Sequence, residues 1–316
     1  MRRAEWVLVA GLASAMSGCS CSSDGGQTVS EPTITPATTG GDFSRPFDSV
    51  PDPAAGKIYF TASDLNGAGV FSVPLEGGTA TALHTGDPYV APFGIDLSSD
   101  GSTLFVADSA AGADDEEAHV YGVIYTQPTS AGAPSALAGS EGRGARGLVV
   151  AREGEADVVY FTGQAAVYKL PAAGGTATTV AEGAPLSDPS GIAVTKSGTV
   201  YVLDTVASDL GLANLLSLSG GGADVFLADL HVGYPAGIAL THDETALVVS
   251  GLSAETGHDE VYTIDLASKE VTVLESPAIA ENVESAGLHR AKESNTFSWA
   301  DSTAGGNGIV YRVDLP

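Results

Sequence analysis

Three aspartates, Asp108, Asp204 and Asp301, each close a short apolar run that follows a similar run in the same segment. If the three segments take equivalent places in a closed ring, these carboxylates lie around one rim. Converging carboxylates either bind a cation or raise one another's pKa, and Ca²⁺ or Mg²⁺ would be the cation because both prefer oxygen ligands. The alternative is that each aspartate accepts hydrogen bonds from backbone N–H groups of its own turn.

A second set of candidate residues stands at the start of the earlier apolar run in each segment. Phe47, Phe93 and Arg146 occupy this position in three of the segments, and Arg146 is the single basic residue found there. Two aromatic rings and a guanidinium at the mouth of a ring could contact a small anionic or aromatic ligand. The sequence therefore predicts a ligand-binding group of Phe47, Phe93 and Arg146.

Other catalytic patterns are absent from the sequence. Its six histidines include no HExxH motif, and neither GxSxG nor a phosphate-binding glycine loop occurs. His289 lies on an inner strand, where it is either a base near the channel or a hydrogen-bonded polar group. The acidic run from Asp114 to Glu117 is either a solvated loop or a calcium-binding loop, and it lacks EF-hand spacing.

The elements that position these residues repeat six times along the chain. Residues 189–204, PSGIAVTKSGTVYVLD, hold two apolar runs separated by a turn, and five further segments follow the same plan. Their anchor residues are Asp48, Gly94, Gly147, Gly191, Gly237 and Gly287. The mean spacing of roughly 48 residues has room for four short strands with their turns, so each repeat is predicted to be one propeller blade.

We therefore predict an all-β fold, a six-bladed β-propeller with four-stranded blades over residues 42–316. The first and second strands of each segment are continuous apolar runs, as expected for strands covered on both faces. Blade six has three strands before Pro316. Because an unpaired edge favours aggregation, we expect residues 28–35 to supply its fourth strand.

Residues 1–18 have the pattern of an export signal, with Arg2 and Arg3 ahead of an apolar stretch. That stretch, from Trp6 to Met16, is far shorter than the roughly 20 residues of a membrane-spanning helix. Residues 19–41 are rich in Ser, Thr, Gly and Pro, which is typical of a flexible tether.

The motif MSGC at residues 16–19 resembles the lipobox of bacterial lipoproteins. The resemblance implies lipidation of Cys19 and a lipid-anchored location in the bacterial cell envelope. Ser20 follows where aspartate would signal retention in the inner membrane, which favours the outer membrane. Plain secretion with Cys19 and Cys21 as bystanders is the alternative, and no later cysteine is available for a disulfide in the fold.

The charge of the chain excludes some partners. With 13 basic and 39 acidic residues the net charge is −26. Nucleic acids and anionic head groups are bound by clustered Lys and Arg, so we expect no nucleic-acid partner and contact with a membrane through the lipid anchor only. The acidity either attracts cations and basic partners or keeps a surface protein in solution.

The succession PxGIAV, GTVYVLD and an apolar third strand resembles the NHL-type six-bladed β-propeller and is similar to the gluconolactonase and strictosidine-synthase-like superfamily over residues 45–314. In gluconolactonases a divalent metal is held by a first-blade glutamate, asparagines of PNG turns and an aspartate that closes a second strand. Only the aspartates match here, at Asp108, Asp204 and Asp301. The PxG turns carry no asparagine, and no glutamate stands at the first strand.

Two functions fit this sequence. The first is a non-catalytic propeller that binds a small molecule or a protein partner while tethered through Cys19. The alternative is a lactonase or esterase of the gluconolactonase type that depends on Ca²⁺ or Mg²⁺ at the aspartate rim. A quinoprotein sugar dehydrogenase would use the same fold, but its base and cofactor-holding basic residues have no counterpart that can be placed here.

Overall fold

The computed structural model describes residues 31–112, 121–205, 212–279, 282 and 284–316. Within these residues the chain forms six antiparallel sheets of four strands and one small parallel pair. This part of the chain has no α-helix, and its one helical turn is a 3₁₀ turn at Ala304–Gly306. None of its helices is long and apolar enough to cross a membrane. The predicted export signal, Cys19 and the acidic run at 114–117 lie outside the described residues.

The strands follow one another from blade to blade. Before the first blade come β1 (Thr33–Pro36) and β2 (Thr38–Gly40). Blade 1 has β3 (Ser44–Asp52), β4 (Lys57–Asp64), β5 (Gly67–Pro74) and β7 (Thr81–Thr85), with the short β6 (Gly78–Thr79) between the last two. Blade 2 has β8 (Pro92–Leu97), β9 (Thr103–Asp108), β10 (Val123–Pro128) and β11 (Ser135–Ala136). Blade 3 has β12 (Leu148–Glu153), β13 (Ala156–Gly163), β14 (Ala166–Pro171) and β15 (Thr178–Glu182).

The second half of the ring repeats this plan. Blade 4 has β16 (Pro189–Val194), β17 (Val200–Asp204), β18 (Ala213–Ser219) and β19 (Gly222–Leu230). Blade 5 has β20 (Val232–Leu240), β21 (Ala246–Ser253), β22 (Asp259–Asp265) and β23 (Val271–Val273). Blade 6 has β24 (Ser285–Arg290), β25 (Thr296–Asp301) and β26 (Ile309–Asp314), and β1 completes it.

Burial falls from the axis outward. Every residue of β17, the second strand of blade 4, is buried, whereas every residue of β23, the outermost strand of blade 5, is exposed. Continuous apolar runs therefore form the strands that are covered by neighbouring blades on both sides. The predicted six-bladed β-propeller with four-stranded blades is confirmed.

Apolar side chains fill the spaces between blades. Between blades 5 and 6, Trp299 is fully buried and stacks on Tyr311 with the ring centroids 4.6 Å apart. Val248 and Val261 of blade 5 belong to the same buried cluster, and so does Ile34 of β1. Each blade thus buries its apolar face against the next one, and the ring has to close for the last face to be covered.

The N-terminal strand closes the ring. β1 pairs antiparallel with β26, from Thr33 opposite Asp314 to Pro36 opposite Tyr311. The chain continues as β2, which pairs in parallel with β6 of blade 1. The prediction that residues 28–35 supply the missing strand is confirmed for residues 33–35, while residues 28–30 lie outside the described part of the chain.

Glycines at the anchor positions let the first strands meet at the axis. A Cβ on Gly147 would lie 1.9 Å from the carbonyl oxygen of Ser190 in the next blade, and one on Gly237 would lie 2.1 Å from the backbone nitrogen of Leu288. No side chain fits at such distances. In blade 1 the anchor is Asp48, whose carboxylate occupies the axis in place of a glycine.

Candidate functional site on the propeller axis

The three rim aspartates end the second strands of alternate blades, as predicted. Asp108 pairs with Pro92, Asp204 with Pro189, and Asp301 with Ser285, so each aspartate lies beside the start of a first strand. All three are buried, with at most 1% of the residue exposed. Their carboxylates are therefore set into the loops and not displayed on the surface.

The carboxylate of Asp108 ties two loops of its blade together. It accepts hydrogen bonds from the backbone nitrogens of Val90 at 2.7 Å and Ala91 at 3.0 Å, in the loop before β8. It also accepts one from Ala111 at 3.0 Å, in the loop after β9. Both oxygens of this carboxylate therefore have backbone donors.

Asp204 and Asp301 also accept backbone hydrogen bonds, each from a different loop of its blade. Asp204 accepts from the backbone nitrogen of Asp188 at 3.1 Å, and Asp301 accepts from Thr303 at 2.9 Å and Ala304 at 2.8 Å. In the described residues no group of three His, Cys, Asp or Glu side chains is placed to hold a metal ion. Asp301 accepts from its own turn, as in the turn-capping alternative, whereas Asp204 accepts from the loop before β16 and Asp108 accepts from both kinds of loop. Ca²⁺ or Mg²⁺ at this rim stays a prediction that no group of ligands in the described residues supports.

The predicted ligand-binding group is brought together only in part. Phe47 and Phe93 stack with ring centroids 5.3 Å apart, and both line a cavity of about 20 Å³ on the axis. Such a cavity holds about one water molecule. Arg146 does not line this cavity, because its guanidinium forms an ion pair with Asp188 in the loop that leads to blade 4.

Asp48 and His289 form a buried pair that lines the same cavity. His289 Nε2 lies 2.9 Å from Asp48 Oδ2, and the two side chains are 9% and 5% exposed. The same carboxylate accepts hydrogen bonds from the backbone nitrogens of Ile95 at 2.9 Å and Ser49 at 2.8 Å. Asp48 of blade 1 thereby links the inner strands of blades 6 and 2.

The pKa of His289 reflects opposing influences. Burial is the largest and lowers the pKa, because a charged imidazolium is disfavoured away from water. The charge of Asp48, its hydrogen bond and the charge of Asp96 act in the other direction, while Lys292 lowers the pKa. The net result is a raised pKa, so His289 holds its proton to a higher pH than a free histidine.

Stability should depend on pH through this pair. Because the pKa of His289 is raised above about 6.5, the stabilisation is complete below that pH and is lost as pH rises through the folded value. Each unit of upward shift contributes about 1.4 kcal/mol. In urea titrations we expect the difference in unfolding free energy between the parent and His289→Gln to narrow as the pH rises above about 6.5. A difference that widens with pH would contradict the raised pKa.

A second ion pair crosses the axis at the C-terminal ends of the first strands, between Asp96 and Lys292. Lys292 Nζ lies 3.0 and 2.8 Å from the two carboxylate oxygens of Asp96, and 3.1 Å from the carbonyl oxygen of Val150. Asp96 also accepts a hydrogen bond from the backbone nitrogen of Val150 at 2.6 Å. This bridge joins blade 6 to blades 2 and 3.

Beside this bridge the axis widens into a cavity of about 300 Å³, here called the axial basin. Its apolar walls include Val149, Ile192, Val194, Ile238 and Leu240. Its basic lining residues are Arg152, Lys196, Arg290 and Lys292, and its acidic ones are Asp96, Glu244 and Glu293, with His289 on the axis. Four of the 13 lysines and arginines in the chain thus line one cavity. The basin can hold a small molecule and offer it cations.

Sequence reasoning missed the basin, although a signal for it exists. Arg152, Lys196 and Lys292 each lie five residues after the anchor glycine of their blade, and His242 has the same place in blade 5. Equivalent positions in a ring of repeats lie at the same end of the axis, so this recurrence indicates a basic cluster there. The cation site predicted at Asp108, Asp204 and Asp301 lies at the opposite end of the propeller axis.

Comparison with known proteins places this fold among propellers of different activities. The aldose sugar dehydrogenase of Streptomyces coelicolor, solved with PQQ, is 12% identical with a TM-score of 0.63, over 90% of this chain and 98% of that chain. A gluconolactonase from Xanthomonas campestris is 16% identical with a TM-score of 0.61, over 91% of each chain. A chain of a nidogen/laminin complex is 14% identical with a TM-score of 0.54, over 82% and 85%.

No protein-family model and no curated protein matches the sequence. At these low identities the structural likeness shows the six-bladed propeller fold. Activity has to be argued from the residues of this chain, because propellers of one architecture carry many functions.

Proposed function

We propose that this protein is a binding propeller that holds a small molecule in the axial basin and does not transform it. The observation that carries this proposal is the basin itself, a cavity of about 300 Å³ with apolar walls and a few charged groups. Small-molecule sites in proteins are concave and mostly apolar, and begin at about this size. The cavity under Phe47 and Phe93, at about 20 Å³, is too small for any such ligand.

Lactone or ester hydrolysis is the second candidate function, and two observations favour it. The fold is similar to that of a gluconolactonase, and the Asp48–His289 pair resembles the carboxylate and imidazole of a general base. The raised pKa of His289 keeps this imidazole protonated to a higher pH than a free histidine, and a base has to be unprotonated to accept a proton. The described rim aspartates accept backbone hydrogen bonds and form no group of three metal ligands.

Binding in the basin can be tested with the neutral dye N-phenyl-1-naphthylamine, which fluoresces when it enters an apolar site. We expect the parent to bind the dye, and Ala151→Trp, which places an indole in the basin wall, to weaken binding at least tenfold. Ala267→Trp, in an exposed turn of blade 5, is the matched control and should bind as the parent does. Equal dye binding by Ala151→Trp and the parent, with both folded, would place the ligand site elsewhere.

A hydrolysis screen separates the two candidate functions. With Ca²⁺ or Mg²⁺ present, we expect no turnover of lactones or esters above that of the variants Asp204→Asn and His289→Gln. Turnover that chelation or Asp204→Asn abolishes would support a metal-dependent hydrolase at the rim. Turnover that only His289→Gln abolishes would place hydrolysis in the basin.

We further propose that the propeller is held at the bacterial cell envelope, on the outer membrane, by a lipid on Cys19. The support is the MSGC motif and the short apolar stretch before it. Cys19→Ala should release the protein from the membrane fraction, whereas Cys21→Ala, the matched control, should leave it there. Membrane fractionation of Cys19→Ala like the parent would overturn this proposal.

A further inference from the structure

We infer that the ligand of the axial basin is a carboxylate with an apolar body, and that Arg152 and Lys196 bind its carboxylate group. This inference rests on the proposed function, because it concerns the ligand class of the same basin. Three observations support it. They are the charges of the residues that line the basin, the contacts that already occupy two of its four cations, and the apolar side chains of its walls.

The basin differs in charge from the rest of the chain. The whole sequence carries a net charge of −26, yet the basin is lined by four basic and three acidic side chains. An anion that approached most of this surface would be repelled, so the basin is where its charge is matched best. The recurrence of basic residues at one blade position builds this local excess.

The two inner cations are already satisfied within the protein. Lys292 is neutralised by Asp96, as described above. The guanidinium of Arg290 donates to the carbonyl oxygens of Leu240 at 2.7 Å and Ser294 at 3.0 Å. Because Lys292 and the Nε and Nη1 groups of Arg290 hold the inner strands together, these donors are committed, and a ligand would have to displace them.

The two outer cations, Arg152 and Lys196, are available. They lie on the neighbouring blades 3 and 4 and are both exposed. Arg152 donates to the carbonyl oxygen of Glu155 at 2.9 Å, and Lys196 Nζ donates to that of His242 at 3.3 Å. Neither side chain forms an ion pair with a carboxylate in the described part of the chain. An incoming carboxylate would supply the missing counter-charge, and Arg152 could bind it through two parallel N–H groups.

The apolar side chains that line the basin beside these cations determine which kind of group the rest of the ligand must be. Val149 lies on blade 3, Ile192 and Val194 on blade 4, and Ile238 and Leu240 on blade 5. If the carboxylate binds Arg152 and Lys196, the apolar part of the ligand can extend into the basin and pack against these side chains. Its apolar surface is then removed from water, which favours binding. A compact, strongly hydrated anion such as phosphate would gain nothing from these apolar walls. Glu244, which also lines the axial basin, disfavours a doubly charged group.

Displacement of N-phenyl-1-naphthylamine from the full mature chain tests this inference, with octanoate, butyrate, 1-octanol, octylamine and inorganic phosphate as the probes. We expect the dissociation constant of octanoate, measured by dye displacement, to be at least tenfold lower than that of butyrate. The reason is that octanoate buries four more methylene groups in the basin. Octanoate should also bind at least tenfold more tightly than octanol or octylamine. Phosphate should not displace the dye.

Two double variants assign the carboxylate contact. Arg152→Gln with Lys196→Gln should weaken octanoate binding at least tenfold and leave octanol binding unchanged. Lys57→Gln with Lys269→Gln removes the same charge away from the basin lining and should change neither.

Each outcome of the displacement experiment decides one point. Octanol or octylamine binding in the basin as tightly as octanoate would overturn the carboxylate inference and leave the proposed function standing. Failure of the dye and of every probe to bind the parent would overturn both. Octanoate binding that survives Arg152→Gln with Lys196→Gln would overturn the assignment to these two residues.

Discussion

Replacing Asp48 by alanine should lower the free energy of unfolding by about 3–5 kcal/mol, because it leaves a buried charge without its partner. The Asp48 carboxylate accepts hydrogen bonds of 2.8 to 2.9 Å from His289, Ile95 and Ser49. Its loss also opens space beside Gly287, whose Cβ position would lie 2.0 Å from Asp48 Oδ1. Three blades lose their common link at the axis. Urea unfolding followed by circular dichroism measures the effect.

Asp48→Asn gives a graded version of the same experiment. The amide keeps the size of the side chain but sets an NH₂ donor among N–H donors, so we expect a loss of about 1–3 kcal/mol. Asp64→Asn makes the same chemical change in an exposed hairpin turn, where Asp64 accepts from the backbone nitrogen of Asn66 at 2.7 Å. That control should lose about 1 kcal/mol or less. Equal losses for the two variants would show that the axial pair does not brace the ring.

Removing the chain before Ala37 should lower the melting temperature by roughly 6 °C. The shortened protein lacks β1 and with it the buried Ile34 and the ladder to β26, a loss of about 3 kcal/mol. In a chain of this length each kcal/mol shifts the melting temperature by about 2 °C. The uncovered edge of β26 should also promote aggregation.

A chain that begins at Glu31 keeps β1 and is the matched control. Its melting temperature should equal that of the chain that begins at Cys19, because the described contacts of the closing strand begin at Thr33. If the chain that begins at Ala37 melts at the same temperature as this control, the N-terminal strand does not close the ring in solution.

The fold could be predicted from the sequence because it depends on repetition. The sequence alone shows six anchors at similar spacing, two apolar runs in each repeat and only three strands in the last repeat. The structure confirms six blades and closure by β1. The exact end of each strand and the pairing of β2 with β6 could not be read, since they depend on packing between blades.

The candidate site was harder to predict because its members meet only after the ring closes. Asp96 and Lys292 are separated by 196 residues, and Asp48 and His289 by 241. Nothing in local sequence pairs them. The prediction for Arg146 shows the same limit, because Asp188, its ion-pair partner, reaches it from the loop of the next blade. Three of the four basic residues of the basin lie at one repeat position, and comparing the blades position by position would have found them.

The axial basin as a carboxylate site is tested most directly by a crystal structure with 8-bromooctanoate, whose bromine can be located by its anomalous scattering. We expect the bromine peak inside the basin, between the walls of blades 3 and 5 near Val149 and Ile238, with the carboxylate at Arg152 and Lys196. A bromine peak elsewhere on the propeller, or no peak at a concentration that displaces the dye completely, would contradict the assignment of the basin as the ligand site.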